Sequence, residues 1–293
     1  VSGNDITGNG ATPTTAQNGI VVFGPNGTVS GNTVSEVGYV LTGSNSAASS
    51  SGILSYSSSG VTITGNALNG PTETVSEPNE LSAAGVSSYN DTNGATVTNN
   101  TISGFTYGIL SDSDGAAPGH SGNSFSGNQY NLATDDLTAA AAVLGTDGDD
   151  YLEGSAFNDT INGQGGNDII DGGTGTDTAT YGAGATIAID ASGTWTVSDA
   201  GDTDILTGVE KVVIGSETYL LVDQEGNNVG GFQTLQAAID AAAGGETILV
   251  APGAYTESAN YNPTNNTNDP GFPNPLGLLI NKSVIIRGLD SNG

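Results

Sequence analysis

The sequence predicts an all-β solenoid with one short α-helix, and three observations support this prediction. An octet centred on asparagine recurs five times within residues 1–127, a nonapeptide recurs four times in tandem within residues 145–180, and helical periodicity is confined to one segment near residue 235. The composition agrees, because the 293-residue chain has 46 glycines and only 6% aromatic residues. Short repeats cannot bury an apolar face alone, so they must stack on their neighbours.

The five octets place apolar residues in fixed columns. The residue two after the asparagine is apolar in all five, and the residue three before it is apolar in four, so we expect both columns to point inward. The octets are VSGNDITG (1–8), VSGNTVSE (29–36), ITGNALNG (63–70), VTNNTISG (97–104) and HSGNSFSG (120–127).

The asparagines mark the point where two short strands meet. Asparagine tolerates the left-handed bend of such a corner, and its amide can bond to the copies above and below. Asparagine spacings of 23 to 34 residues define coils that stack as a parallel β-helix. The column comprises Asn4, Asn32, Asn66, Asn100 and Asn123, and a second strand start precedes the last four at Gly19, Gly52, Gly85 and Gly108.

This pattern resembles the repeats of the pectin-lyase-like superfamily. The resemblance implies that residues 1–134 are the C-terminal coils of a right-handed parallel β-helix. It implies little about activity, because that superfamily includes lyases, hydrolases, epimerases, adhesins and phage spikes.

From Gly145 the repeat period falls to nine residues. In each copy a glycine-rich turn precedes an aspartate, and the residue two positions later can point inward. Carboxylates and backbone carbonyl groups supply the oxygen ligands of a hard cation. One winding uses two nonapeptides, so we expect aspartates of alternate copies to lie over one another and to repel unless a cation intervenes. The aspartates are Asp150, Asp159, Asp168 and Asp177, and the inward residues are Leu152, Ile161, Ile170 and Ala179.

These copies resemble the RTX nonapeptide, which winds a parallel β-roll around Ca²⁺. An acidic linker is the alternative, and four in-phase copies argue against it. Copies two and four depart from the pattern at Ser155, Phe157 and Ala179, so Asp150 with Asp168 is the preferred pair. Besides the four aspartates, the resemblance implies ligands at Gly145, Asp147, Gly163, Gly165, Gly172 and Thr174.

Alternating apolar residues continue to residue 222. We therefore assign residues 145–222 to the β-roll and a flanking β segment, and residues 135–144 to a linker. The segment GDTDILTGVE (201–210) resembles sequences that flank RTX rolls. Asp199, Asp202 and Asp204 either add a calcium site or form a solvated turn, and we expect Trp195 to pack in a hairpin rather than to bind sugar.

Residues 223–293 are predicted to be the N-terminal cap and first strands of a second β-helix. The segment FQTLQAAIDAAA (232–243) is apolar at i, i+3 and i+7 and stops at two glycines, which predicts a short capping helix. TILVA (247–251) indicates a buried strand, and LLINKSVIIRG (278–288) indicates two more. This order is similar to the amino-terminal cap of pectin-lyase-like helices. Two partial helices predict a unit that self-associates head to tail through its β-helix ends.

The excess of acidic residues limits the classes of molecule that the chain is expected to bind. With 31 acidic and 3 basic residues, the formal net charge is −28. Nucleic-acid binding needs clustered Lys or Arg, so nucleic acids are excluded. Anionic membranes and acidic polysaccharides are disfavoured, which leaves calcium, other copies of the chain, and a neutral glycan or cell-surface ligand. No apolar run reaches the length of a membrane span, and the absence of cysteine excludes disulfides.

No constellation of catalytic residues stands out, so an enzyme is the less favoured prediction. Asp112 and Asp114 are the only close carboxylate pair on the coils, and a loop is the favoured interpretation. His120, the one histidine, occupies an otherwise inward column and is interpreted as an end-of-core residue. The only basic residues are Lys211, Lys282 and Arg287, and we expect structural or solvated roles for the last two.

The favoured hypothesis is a secreted, calcium-stabilised β-solenoid with a structural or adhesive role at the bacterial cell surface or in the extracellular matrix. The RTX resemblance implies type I export of an unfolded chain that folds outside the cell. The alternative is the non-catalytic portion of an RTX-containing carbohydrate-active enzyme of alginate-epimerase or polysaccharide-lyase type. Ice binding is a third, weaker hypothesis, because the threonines form no extended T-x-T array.

Overall fold

A computed structural model of the protein describes residues 1–12, 16–39, 50–71, 83–91, 94–112, 119–135, 141–190, 193–223, 231–255 and 278–289. Within these residues the chain forms twenty-six β-strands and one short α-helix, which confirms the predicted all-β fold. None of the helical structure described is long and apolar enough to cross a membrane.

The chain as far as residue 135 is a three-sided parallel β-helix. Its strands are β1 (Asp5–Thr12), β2 (Asn18–Pro25), β3 (Thr28–Ser30), β4 (Thr33–Tyr39), β5 (Ser50–Ser59), β6 (Thr62–Thr64), β7 (Ala67–Asn69), β8 (Ala83–Tyr89), β9 (Thr96–Thr98), β10 (Thr101–Ser103), β11 (Tyr107–Asp112), β12 (Gly119–Ser121), β13 (Ser124–Ser126) and β14 (Tyr130–Asp135). Sheet 1 has the order β1-β4-β7-β10-β13, sheet 2 begins β2-β5-β8-β11-β14, and sheet 3 has the order β3-β6-β9-β12.

The predicted inward columns form the core of this β-helix. Each face contributes one column of side chains that are at most 6% exposed. Val1 is 63% exposed because it lies on the first coil, where no described coil covers it. The buried columns are Val29, Ile63 and Val97 on sheet 3, Val34, Leu68 and Ile102 on sheet 1, and Ile20, Ile53, Val86, Ile109 and Leu132 on sheet 2.

The asparagine column forms a continuous side-chain ladder, as predicted. The Nδ2 atom of Asn4 donates to Oδ1 of Asn32 at 2.9 Å, and the same contact links Asn32 to Asn66 at 3.0 Å. It continues from Asn66 to Asn100 at 2.9 Å and from Asn100 to Asn123 at 3.0 Å. Each accepting oxygen also receives the backbone N–H of the preceding asparagine. The ladder therefore satisfies polar groups that would be costly to bury unpaired.

Our prediction that the ladder asparagines carry the left-handed bend is wrong. The bend falls one residue earlier, mostly on glycine, which adopts positive φ without a steric penalty. Each ladder side chain is then directed along the stack. The bend residues, with φ between 55° and 68°, are Gly3, Gly31, Gly65, Asn99 and Gly122.

Residues 141–223 continue the stack as a two-sided roll. Its strands are β15 (Ala142–Leu144), β16 (Tyr151–Glu153), β17 (Thr160–Asn162), β18 (Ile169–Asp171), β19 (Thr178–Tyr181), β20 (Thr186–Ile189), β21 (Trp195–Asp199), β22 (Asp202–Thr207), β23 (Lys211–Ile214) and β24 (Glu217–Val222). Sheet 2 continues through β16, β18 and β22 and ends in the antiparallel strands β21 and β20. Sheet 4 begins β15-β17-β19-β23-β24.

The roll stacks directly on the β-helix. Strand β14 pairs in parallel with β16, so sheet 2 crosses from one to the other. The structure differs from the predicted linker at residues 142–144, which form β15 and pair with β17. The reason is that Val143 is buried and supplies the first inward residue of sheet 4. The other domain boundaries stay predictions.

The last described residues confirm the predicted short helix and buried strand. They form α1 (Leu235–Ala241), β25 (Thr247–Val250) and β26 (Ile285–Gly288), and the two strands extend sheet 4. The hydroxyl of Thr234 caps α1 by accepting the N–H of Ala237 at 3.1 Å. Ile239 on α1 packs with Leu220 and Val222 of β24.

Only one of the two strands predicted within residues 278–288 is formed. The N–H of Leu279 donates to Oε1 of Gln236 at 2.7 Å, and its carbonyl accepts Nε2 of Gln236 at 3.2 Å. The Lys282 ammonium donates to two carbonyl groups at the end of α1, each at 2.6 Å. This part of the segment is therefore bonded to the helix instead of to a neighbouring strand.

Candidate metal site

The aspartates of alternate nonapeptides lie one winding apart, as predicted. Strand β16 pairs with β18, and β17 pairs with β19. The N–H of Asp150 donates to Oδ1 of Asp168 at 2.9 Å, and the N–H of Asp159 donates to Oδ1 of Asp177 at 2.7 Å. Each side of the roll therefore carries its own column of aspartates.

All four aspartates are at most 2% exposed. A buried carboxylate is costly unless its oxygen atoms accept hydrogen bonds or bind a cation. The contacts of each oxygen therefore show which turns still need a ligand.

In the first two copies, the residue after the leading glycine satisfies the aspartate. Thr146 donates its N–H to Oδ2 of Asp150 at 2.5 Å and its hydroxyl to Oδ1 at 3.1 Å. Ser155 donates its N–H and its hydroxyl to Oδ2 of Asp159 at 2.6 and 2.8 Å. The other oxygen of each carboxylate also accepts a backbone N–H from a preceding segment. We call these two turns the closed turns.

In the last two copies, the corresponding residue turns its N–H away from the aspartate. Gln164 and Gly173 have positive φ, 71° and 85°. Their N–H groups donate to the side chain that ends the preceding copy, at 2.8 and 3.0 Å. As a result, Oδ2 of Asp168 and Oδ2 of Asp177 are buried without a hydrogen-bond partner. We call these two turns the open turns.

The leading glycines make room beside the carboxylates. A Cβ on Gly145 would lie 2.6 Å from Oδ2 of Asp150, and a Cβ on Gly163 would overlap Oδ2 of Asp168. The carbonyl oxygen of Gly163 lies against Gly145 of the previous winding. Any larger residue would therefore fill a space that carboxylate and backbone oxygen atoms share.

Burial makes these carboxyl groups resist ionisation. It raises the pKa of Asp168 to about 8, and repulsion from Asp204 and Asp150 adds to the effect. Burial also raises the pKa of Asp150 to about 7, although hydrogen bonds from Thr146 oppose it, and raises the pKa of Asp177 to about 6. A cation bound beside these groups would favour their charged forms.

The oxygen atoms present suit a hard cation that takes ligands from more than one winding. Among the described residues, no three His, Asp or Glu side chains lie close enough together to hold a metal ion. Ca²⁺ takes about six to eight oxygen ligands and accepts backbone carbonyls together with carboxylates. Most ligands at this site must therefore come from the backbone of the turns.

The other predicted ligand positions lie on the same turns. Asp147 and Thr174 are exposed, at the third position of their copies. The N–H of Gly165 donates to the carbonyl of Thr146 at 3.2 Å, which stacks the third turn on the first. Their roles as ligands, like those of Gly145, Gly163 and Gly172, stay predictions.

Sequence reasoning missed a second ladder, one residue before the aspartates. Oδ1 of Asp149 accepts the N–H of Asn167 at 2.8 Å, and Oδ1 of Asn158 accepts the N–H of Thr176 at 2.9 Å. The signal was available, because this position is polar in all four copies.

Three residues considered for other roles make structural contacts. Nε2 of His120 lies 2.7 Å from the carbonyl oxygen of Leu144, where the β-helix meets the roll. Trp195 is fully buried in the antiparallel hairpin of β20 and β21, as predicted. Lys282 bonds the end of α1, as described above.

The other basic and acidic residues considered as catalytic candidates have no site described around them. Lys211 lies in β23 and Arg287 is exposed in β26. Asp114 and the side chain of Asp112 lie outside the described residues.

Comparison with known proteins identifies the repeat. Residues 144–179 match the family model of the RTX calcium-binding nonapeptide repeat, in four copies. RTX nonapeptide repeats bind Ca²⁺, so calcium is the cation that this part of the chain binds. No curated protein and no solved structure matches the chain. The family match does not extend to the flanking segments, for which the pectin-lyase-like resemblance stays a prediction.

Proposed function

We propose that the protein is a secreted, calcium-stabilised solenoid with a structural or adhesive role at the bacterial cell surface or in the extracellular matrix. The observation that carries the proposal is the pair of buried oxygen atoms, Oδ2 of Asp168 and Oδ2 of Asp177, that no protein group satisfies. A bound Ca²⁺ removes the cost of burying them. Proteins with RTX repeats are typically secreted, which agrees with this role.

Calcium outside the cell supplies the stabilisation where it is needed. Extracellular calcium modules have dissociation constants of about 10⁻⁴ to 10⁻³ M. A ligand that binds only the folded state stabilises it by about 1.4 kcal/mol for each tenfold excess over its dissociation constant. Cytosolic calcium adds almost nothing, so the later windings of the roll stay open before type I export and close outside the cell.

The closed turns allow the first winding of the roll to form without a bound metal ion. Protein donors saturate Asp150 and Asp159, and β16 pairs with the last strand of the β-helix. The open turns of Asp168 and Asp177 follow. The β-helix and the first winding therefore serve as a template, onto which calcium closes the later windings.

Self-association through the ends of the stack is part of the proposal. Strands β1, β2 and β26 are the outermost strands of their sheets within the described part of the chain. Strand β26 is exposed along its whole length. Edge strands offer unpaired backbone groups to another chain, and the proposed occupant is a second copy in head-to-tail order.

A neutral glycan is the proposed external ligand. A cleft of about 470 Å³ lies where the β-helix meets the roll, and Phe125, Asn131, Gln164 and His120 line part of it. An aromatic ring with amide groups around it suits a sugar ring and its hydroxyls. The net charge of −28 disfavours acidic sugars.

Calcium titration of the full chain tests this function. Circular dichroism should show added β-structure when calcium replaces chelator, and electron microscopy should show end-to-end assemblies in calcium. Mg²⁺ at the same concentration is the control, because its strict octahedral geometry does not suit a carbonyl-rich site. Equal β-structure in chelator and calcium would contradict calcium stabilisation. Well-folded monomers in calcium would contradict the proposed self-association but would leave calcium stabilisation intact.

A further inference from the structure

The roll continues for one winding beyond the fourth nonapeptide. Strand β22 pairs in parallel with β18, and β23 pairs with β19, so Leu206 lies opposite Ile170 and Val212 lies opposite Ala179. Leu206 and Val212 are at most 1% exposed. Residues 202–214 therefore form a further winding, although the family match ends at residue 179.

Asp204 takes the place of a repeat aspartate in this winding. The N–H of Asp168 donates to Oδ1 of Asp204 at 2.9 Å, which repeats the contact from Asp150 to Asp168. Asp204 is 6% exposed. The step spans 36 residues instead of 18, because β20 and β21 form a hairpin within it. The column on this side of the roll therefore runs from Asp150 through Asp168 to Asp204.

One buried oxygen atom at this step, Oδ2 of Asp168, has no protein partner, and Asp168 is 1% exposed. The hydroxyl of Tyr181, the last residue of β19, is buried beside Asp204. Burial raises the pKa of this hydroxyl, and the charge of Asp204, a hydrogen bond with Asp204 and the charge of Asp168 add to the effect. A buried carboxylate with an unpaired oxygen atom is costly without a cation.

We propose that Asp168, Asp204 and the Tyr181 hydroxyl hold a further Ca²⁺ between the third nonapeptide and the winding that follows the repeats. This inference rests on the proposed function, because it takes the roll to be a calcium-binding unit, and it extends binding beyond the four copies. The two carboxylates balance the charge of the ion. The hydroxyl and backbone carbonyls complete a set of oxygen ligands of the kind that Ca²⁺ takes.

Trp195 reports on this site. Trp195 on β21 lies opposite Leu206 on β22, and Leu206 is two residues from Asp204 along β22. It is fully buried and is the only tryptophan of the chain. Its fluorescence therefore follows the added winding, whereas circular dichroism follows the whole roll.

The experiment uses Asp204→Asn in the full chain. The control is Asp5→Asn, which removes the same charge from an exposed position on β1. Equilibrium dialysis counts bound calcium, and a titration follows the fluorescence of Trp195. We expect Asp204→Asn to bind one ion fewer than the wild type and to need about tenfold more calcium for the fluorescence change. The control should match the wild type.

A second variant keeps the test decisive if Asp204→Asn does not fold. Tyr181→Phe removes only the hydroxyl, and we expect a smaller shift of the fluorescence midpoint in the same direction. If the folded variants bind as many calcium ions as the wild type and have the same fluorescence midpoint, the proposed site is refuted. If the Asp204 and Tyr181 variants behave like the wild type but Asp168→Asn binds less calcium, the further site is refuted and the proposed function stands. If the wild-type chain binds no calcium, the proposed function itself is refuted.

Discussion

Oδ1 of Asn162 accepts the backbone N–H of Gln164 at 2.8 Å, and this contact removes the donor that would otherwise satisfy Asp168. In the first copy the corresponding N–H, from Thr146, bonds Asp150 directly. One backbone rotation at the second position of the nonapeptide therefore separates a turn closed by protein donors from a turn that needs a cation.

Changing Gln164 to threonine should convert the third turn into a closed turn. Threonine disfavours the positive φ of this position, and its N–H and hydroxyl can then donate to Asp168 as Thr146 does to Asp150. We expect the calcium midpoint measured by circular dichroism to rise about tenfold, because a carboxylate ligand is withdrawn.

The control for this change is Gln164→Gly. Glycine also lacks the glutamine side chain but adopts positive φ freely, so the midpoint should stay near that of the wild type. Equal midpoints for the threonine and glycine variants would show that the backbone rotation does not govern calcium binding.

Asp168→Asn and Asp150→Asn should have different consequences. Asp168 has an unpartnered oxygen, so loss of its charge should raise the calcium midpoint. Asp150 accepts a backbone N–H at each of its two oxygen atoms. The NH₂ group of an asparagine at this position would face one of these N–H groups, so two donors would meet. Asp150→Asn should therefore destabilise the chain by about 1–3 kcal/mol, with or without calcium. Urea unfolding in chelator and in calcium separates the two effects, and the same pattern for both variants would refute the division into closed and open turns.

The pH dependence of the roll should reverse when calcium is added. The ordinary pKa of Asp168, 3.8, is raised to about 8 in the metal-free fold. The folded state then holds a proton that the unfolded state lacks, so metal-free stability should fall as pH rises between about 4 and 8. Calcium needs the ionised group, so its affinity should rise over the same window. Unfolding in chelator and calcium titrations at about pH 5 and pH 8 check both signs. Metal-free stability that increases with pH would contradict the account.

The asparagine ladder should stabilise the β-helix independently of calcium. Asn66 is 2% exposed and bonds Asn32 and Asn100. Asn66→Ala should cost about 3 kcal/mol, because it leaves buried partners unsatisfied, and should do so equally in chelator and calcium. Asn69→Ala, at an exposed position of β7, should change stability by no more than about 0.5 kcal/mol. Urea unfolding gives both values, and similar costs at the two positions would remove the ladder from the account.

The sequence predicts the parts of the fold that repeat in phase. Val29, Ile63 and Val97 share one place in the octet, so their inward position follows from spacing alone. The stacking of Asp150 on Asp168 follows from the nonapeptide period in the same way.

Other features depend on backbone conformation or on long-range contacts. Gln164 and Thr146 occupy the same repeat position, and only the sign of φ shows that one turn is open. Asp204 is out of phase by the length of the inserted hairpin, so no repeat search aligns it with Asp168. Leu279 lies in a strand-like pattern but bonds the side chain of Gln236, a partner 43 residues away.

Amide hydrogen exchange in chelator and in calcium tests the central claim most directly. At about pH 8, where protonation of Asp168 no longer favours the metal-free roll, we predict that amides of β18, β19 and β22 exchange rapidly in chelator and become protected in calcium, whereas amides of β6 and β9 stay protected in both. Equal protection of β18, β19 and β22 in the two conditions would show that the windings close without calcium and would contradict the account.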